Sequence, residues 1–195
     1  MAVNADNVFI GLADQGTTGA VGTAAEGTAL PTNPFGSTWT GWTFSGYVSE
    51  DGLSLSPSWS TTPLKEWNGA TVRTLLDDFT GEISLTEIEF LSEAGAKHCF
   101  GENNVTATAA NTTHGNQLTV SLGPTLPEAR AWVFRMKDGD RKAVVYVPNG
   151  QVTAIDSIGF NRNNAAGLPY TITCNDDGTG HSIYIYTDDG QVTSH

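Results

Sequence analysis

Hydrophobic and polar positions alternate most strictly between Leu53 and Ser60. Leu53, Leu55, Pro57 and Trp59 take the odd positions, and every even one is serine. Period-2 alternation over that length predicts a half-buried strand. Its polar face is built of small hydroxyls, which suit close contact with another surface as well as contact with water. Thr61–Gly69 follows as a loop: Pro63 interrupts pairing and Asn68-Gly69 is a turn signal. Ala70–Leu76 is read as the return strand, so the loop at about residues 60–69 projects from the body. Leu64 and Trp67 then stand at its tip as a contact site, or Trp67 folds back on its own strands. Asp77–Gly81 is read as a turn. Glu82–Leu91 is read as a strand whose phase slips, with Ile83 and Leu85 on one face and Ile88 and Phe90 on the other; a bulge near Thr86 would reconcile them.

Ser92–Phe100 carries helix signals. Ser92 is a good N-cap, Glu93 sits in the first turn, Lys97 and His98 in the last, and Gly101 supplies the stop. Glu93 and Lys97 are spaced for an i,i+4 pair. Gly95 weakens the helix. A helix this short needs packing against a sheet.

Beyond it, residues 103–114 read as a polar strand or loop, and Leu118–Leu122 as a short strand. In Ala131–Lys137, Trp132, Phe134 and Met136 share one face, and Arg135 and Lys137 the other. A hairpin into Lys142–Val147 is expected. A three-residue loop would pair Trp132 with Tyr146 and Phe134 with Val144. It is preferred because an Asp138-Gly139 loop would set Arg135 against Lys142. Pro148-Asn149-Gly150 reads as a turn before Val152–Phe160. Tyr170–Cys174 and Ile183–Thr187 read as a closing hairpin. The sum is a mainly β domain of eight or nine strands, a β-sandwich or small barrel with one packed α-helix.

The first 45 residues are rich in Gly, Ala and Thr. The segment at residues 16–32 has too little apolar surface to fold alone. It is a disordered tail or an arm that orders on a neighbour. The Val8-Phe9-Ile10 and Leu12 cluster, with Phe35, Trp39, Trp42 and Phe44, favours the arm.

Charge narrows the function. The 195 residues carry a net charge of −12 with only nine Lys and Arg. Tight sequence-independent binding of nucleic acid needs cations against phosphates, so a DNA-binding role is not expected. No stretch is long and apolar enough to cross a membrane, and the N-terminus lacks the features of a signal peptide. Cys99 and Cys174 lie in apolar contexts and read as buried free thiols. No metal-ligand spacing, nucleotide loop or nucleophile elbow is present, so no metal, cofactor or catalytic residue is expected. His98, His114, His181 and His195 are scattered. Glu87 and Glu89 read as one solvated face rather than an acid/base pair. The Asp-Gly runs at residues 138–139, 176–178 and 188–190 read as turns rather than calcium loops.

The ordered set Gly46-Tyr-Val-Ser-Glu-Asp-Gly52, the Leu/Ser strand, Lys65-x-Trp-x-Gly-x-x-Val-Arg-Thr74 and Glu82–Leu91 leading into a helix that ends Cys99-Phe-Gly101 resembles the major tail tube proteins of bacteriophages with long non-contractile tails, above all those of actinobacteria. The resemblance implies a structural virion protein. Six subunits would close a ring, and rings would stack into the tail tube, the conduit for DNA ejection into the host. Residues 1–40 would be an N-terminal arm making contacts between rings, together with the loop at about 60–69, and residues 41–195 the tube domain. Tape measure, terminator and baseplate proteins would be its partners, and DNA would pass through the lumen without specific binding. Assembly would take place in the bacterial cytoplasm. Glu82, Glu87, Glu89, Asp138 and Asp140 are the carboxylates available to line that lumen. The alternative is a carbohydrate-binding β-sandwich module, which would gain if Trp39, Trp59 and Trp67 formed one flat exposed row. An enzyme with a site assembled only in space is the third reading.

Overall fold

Two strands alternate in the way the sequence demands, and the fold is built outward from them. In the computed structural model, which describes residues 7–14, 16 and 19–191, the strands are β1 (Leu12–Ala13), β2 (Val21–Ala25), β3 (Thr43–Ser45), β4 (Val48–Lys65), β5 (Thr71–Glu87), β6 (Val105–Thr108), β7 (Gln117–Val120), β8 (Arg130–Asp138), β9 (Arg141–Ile155), β10 (Leu168–Cys174) and β11 (Tyr184–Asp188). Helix α1 (Glu93–Phe100) follows β5. Nine strands form one sheet in the order β3-β2-β8-β9-β10-β5-β4, with β1 also on β8 and β11 also on β9. Strands β6 and β7 form a separate pair. The expected mainly β fold with one packed helix is therefore present, and its sheets do not close into a barrel.

The interior strand β8 is buried on both faces. Trp132 and Phe134 stack with rings 6.2 Å apart in a core shared with Ile83, Leu85, Cys99, Val147 and Tyr170. On the opposite face Ala131 and Val133 pack under Trp39, Trp42 and Tyr146. Burial of such side chains contributes about 1.5–3 kcal/mol each. In this second cluster the aromatics of residues 35–44 pack on the sheet of their own subunit. Trp39 meets Trp42 edge-on at 5.7 Å, and its indole N–H donates to the Gly36 carbonyl. Val21–Ala25, within a segment read as unable to fold alone, pairs with β8 from Val21↔Phe134 to Ala25↔Arg130. The sheet supplies the apolar surface that this stretch lacks.

Arg135, on the face of β8 opposite Trp132 and Phe134, is buried. Asp14 Oδ2 accepts from it at 2.8 Å, and the guanidinium lies over the rings of Trp39 and Phe44. That pairing holds the β1 segment down.

The β8–β9 hairpin takes neither register expected. Asp138 pairs with Arg141 across Gly139-Asp140, which sets Lys137 opposite Lys142. Each lysine is drawn elsewhere: Lys137 to Asp14 at 3.3 Å, Lys142 to the Phe35 carbonyl at 2.9 Å. Gly139 has φ 63°, as the tight turn requires.

Pro148-Asn149-Gly150 is not a turn. β9 runs straight through it, with a register shift against Arg130 and Trp132. A Cβ on Gly150 would stand 2.6 Å from Trp132 Cδ1, and the Gly150 carbonyl accepts from the Trp132 indole N–H at 3.0 Å. This bulge lets one strand serve two neighbours: its first half pairs with β11 from Lys142↔Asp188 to Tyr146↔Tyr184, its second half with β10. The closing hairpin expected of residues 170–187 is thus replaced by two strands flanking β9.

The turn expected at residues 77–81 is also absent. β4 and β5 form one long ribbon, with Pro57↔Gly81 and Ser60↔Asp78 still in register. Proline is tolerated there because β4 is an edge strand. Near Thr86 the pairing with β4 does slip, but the extra residues lie in β4, between Val48↔Glu87 and Leu53↔Leu85, and β5 itself ends at Glu87.

Candidate assembly surface

Beyond Trp59 and Phe79, whose rings tilt together at 5.3 Å, the β4–β5 ribbon leaves the body. After a register shift between Ser60 and Thr61, pairing continues through Thr62↔Leu75 and Leu64↔Arg73, and Thr62 donates to Asp77 Oδ2 at 2.7 Å. The chain reverses at residues 66–69, where Gly69 takes φ 87°. At about 3.3 Å per residue, eight or nine residues beyond Trp59 reach about 25–30 Å. Trp67 is fully exposed at 102%, and Leu64, Val72 and Leu76 are exposed with it. Trp67 does not fold back on its strands. A two-stranded hairpin is marginal alone in water, and this one also leaves apolar side chains bare, so it calls for a partner surface.

A second feature is a flat hydroxyl face. Cross-strand register aligns Ser54 with Ser84 and Thr171, and Ser56 with Glu82 and Thr173. Ser84 and Thr171 hydroxyls lie 3.0 Å apart, and Thr173 and Thr153 hydroxyls 2.8 Å apart. The face therefore crosses β4, β5, β10 and β9. It carries the Glu82 carboxylate and no Lys or Arg at these positions. Its reverse side is the main core, where Leu53, Leu55, Ile83 and Ile172 pack. The flatness of the polar face follows from residue size: no side chain on it but Glu82 and Gln151 is longer than threonine.

The other carboxylates singled out in the sequence scatter. Asp138 and Asp140 lie at the β8–β9 turn. Glu89 lies past the end of β5. Glu87 is buried, so the reading of Glu87 and Glu89 as one solvated face is overturned: Glu87 continues the Ile83–Leu85 face inward. Its Oε1 accepts from the Tyr170 hydroxyl and lies 3.0 Å from His98 Nδ1. A Cβ on Gly95 would come 2.9 Å from its Oε2, so glycine in α1 makes room for this carboxylate. Burial, then the Glu87 charge, raises the Tyr170 phenol well above its ordinary range. The cluster is sealed from solvent and ties α1 to the sheet.

His114 bonds locally with Asn111, and His181 is exposed. His195 lies outside the described residues. Both cysteines are free and buried; burial pushes each thiol up to about 12. Among the described residues no three ligating side chains gather for a metal, and no helix is long and apolar enough to cross a membrane. The tryptophans form no common row: Trp39 is buried, while Trp59 and Trp67 stand at the base and tip of the ribbon.

The family model for phage tail tube proteins matches residues 1–194. The chain belongs to that family. Among solved structures, the tail tube chain is similar to the anti-feeding prophage cap, described as a tube-terminating cap, at 14% identity and a TM-score of 0.45, over 96% of this chain and 100% of that one. No curated protein matches the chain. Family membership makes this a structural virion protein of the tail, one that assembles with other tail proteins into an oligomeric tube.

The signal for the hydroxyl face was present in the serines of 53–60 but incomplete. Thr171, Thr173 and Glu82 join it only through register. Nothing in the local sequence marks Glu87 as buried.

Proposed function

We propose that the chain closes six-membered rings through its sheet edges, that rings stack into the tail tube, and that the hydroxyl face with Glu82 lines the lumen through which DNA leaves for the host. One observation carries this reading. Edge strand β4 runs eighteen residues, Val48–Lys65, and pairs among the described residues with β5 alone. A long open edge is a template for another chain. A ring of copies satisfies every such edge, because a heterologous contact that closes by rotation leaves none free.

The lumen assignment follows from charge. A surface of short hydroxyls with carboxylates and no cations gives phosphates no site to hold, and repels them. Ring-to-ring contacts are assigned to the ribbon tip and to residues within 1–40, above all the exposed Val8–Leu12 segment. Tape measure, terminator and baseplate proteins are the other partners, and assembly takes place in the host cytoplasm. A carbohydrate-binding role is disfavoured by the missing tryptophan row.

The test is negative-stain microscopy of the concentrated full chain beside Leu64→Ser/Trp67→Ser. Rings or tubes are expected from the parent chain, and no stacking from the variant. Deletion of residues 1–40 is a poor comparison, because it removes β1, β2 and Trp39 from the fold itself. A parent chain that stays monomeric at every concentration and binds glycans would replace this reading with the carbohydrate one.

A further inference from the structure

The chain holds two Asn-Gly steps, Asn68-Gly69 and Asn149-Gly150. Such a step carries its own chemistry. The glycine nitrogen attacks the asparagine side-chain carbon Cγ, with no Cβ on the glycine to block the approach. The N–Cγ bond forms and the Cγ–Nδ2 bond breaks. The side-chain nitrogen leaves as ammonia, with the proton that the glycine nitrogen gave up. Water then opens the five-membered imide at one carbonyl or the other, leaving aspartate or isoaspartate. Water is the only co-reactant, and nothing is oxidised or reduced.

The fold treats the two steps differently. Gly150 is buried and paired on both sides, with Arg130 of β8 and Cys174 of β10. Asn149 is half-buried. Its carbonyl accepts from the Asn175 N–H at 2.8 Å, and its side-chain oxygen from Asn175 Nδ2 at 3.3 Å. Ring closure there would require β9 to leave both neighbours. Asn68-Gly69 stands on the reversal of the β4–β5 ribbon, where residues 66–69 are all exposed. Among the described residues the Asn68 side chain has no hydrogen-bond partner, and nothing lies within 4 Å of the position a Gly69 Cβ would take. One bond stands in the way: the Gly69 N–H donates to the Glu66 carbonyl at 2.9 Å. Exposed bonds at the end of an isolated two-stranded ribbon open locally at little cost, and opening this one frees the attacking nitrogen.

We propose that Asn68 is a self-modification site of the free subunit, converting to aspartate or isoaspartate while Asn149 persists. Each event adds one negative charge beside Glu66, on the turn between Lys65 and Arg73, and the isoaspartate product adds a carbon to the main chain next to Trp67. The free subunit therefore ages at its ribbon tip, and the inference holds whether or not the chain builds tubes.

The dilute full chain is held at pH 8 and digested at intervals, and mass spectrometry follows the amide-to-acid gain at each site. Cleavage after Lys65 and Arg73 releases residues 66–73, in which Asn68 is the only asparagine. Conversion at Asn68 is expected at least about tenfold faster than at Asn149, with aspartate and isoaspartate products resolved by elution. In urea the two rates should converge, since both steps then share only the Asn-Gly chemistry. Asn68→Ser should abolish the gain in the tip peptide and leave conversion at Asn149 unchanged. Folded-state conversion at Asn149 as fast as at Asn68 would overturn the proposal. So would a rate at Asn68 in the folded chain below about a tenth of its rate in urea, because the Glu66–Gly69 bond would then be protecting the step.

Discussion

The Tyr170 hydroxyl donates a 2.5 Å hydrogen bond to Glu87 Oε1, and both side chains are fully buried. Tyr170 comes from β10 and Glu87 from β5, while His98 reaches the same oxygen from α1. Three elements thus converge on one carboxylate. Tyr170→Phe removes one donor and is expected to cost about 1–3 kcal/mol. Glu87→Ala leaves both partners buried without it and is expected to cost about 3–5 kcal/mol. Urea midpoints by tryptophan fluorescence measure both. Equal, small losses would mean that the cluster does not hold the helix.

Stability should fall steeply in alkali. Burial first, then nearby Glu87 for Cys99 and Glu82 for Cys174, raises each folded thiol from 9.0 to about 12. Between those values the unfolded chain releases protons that the folded chain keeps, so stability is complete below pH 9 and declines as pH rises. The loss is up to about 4 kcal/mol per thiol. Tyr170, raised for the same reason, steepens the decline above its ordinary value of 10.0. Chemical denaturation from pH 8 to 11.5 measures the slope, and Cys99→Ala with Cys174→Ala should flatten it.

Much of this architecture is written locally. The Leu/Ser alternation of 53–60 places Leu53 and Leu55 against the core, and the Ser92 cap, the Glu93–Lys97 pair at 2.8 Å and the Gly101 stop bound the helix as expected. Other features depend on partners distant in sequence. Asp77–Gly81 carries turn residues yet stays extended, because Asp78–Gly81 pair with Pro57–Ser60 of β4 and only Asp77 falls at a register shift. Residues 16–32 look too poor in apolar groups to fold, yet Val21–Ala25 within them form a strand by pairing with β8 from Phe134 to Arg130. Pro148-Asn149-Gly150 has turn composition, but the same conformational freedom serves a bulge. The hydroxyl face needs three cross-strand registers that no single stretch encodes, which is why Glu82 could not be separated from the other carboxylates by sequence.

Gly150→Ala should reveal that bulge. Its new Cβ would meet Trp132 Cδ1 at 2.6 Å and Ile172 Cγ2 at 2.9 Å, both in the packed core. Overpacking of this kind costs about 1–3 kcal/mol. The change should be visible as a lowered thermal midpoint with altered near-ultraviolet dichroism of Trp132. An unchanged midpoint would show that β9 can straighten without its glycine.

The lumen assignment makes a prediction about size and one about charge. Ser56 and Glu82 face each other across β4 and β5 on the exposed side of the sheet. If that side lines the tube, Ser56→Trp should narrow the stain-filled channel in averaged images while the outer diameter stays constant. Thickening of the outer wall instead would place the hydroxyl face outside. Glu82→Lys changes the face by two charges per subunit and supplies the phosphate partner it lacks, so assembled variant tubes should retain DNA at low salt and release it as salt rises. Parent tubes should retain none under either condition. The two variants separate the alternatives, since a lysine on an outer wall would also capture DNA but would leave the channel width of the Ser56→Trp tube untouched.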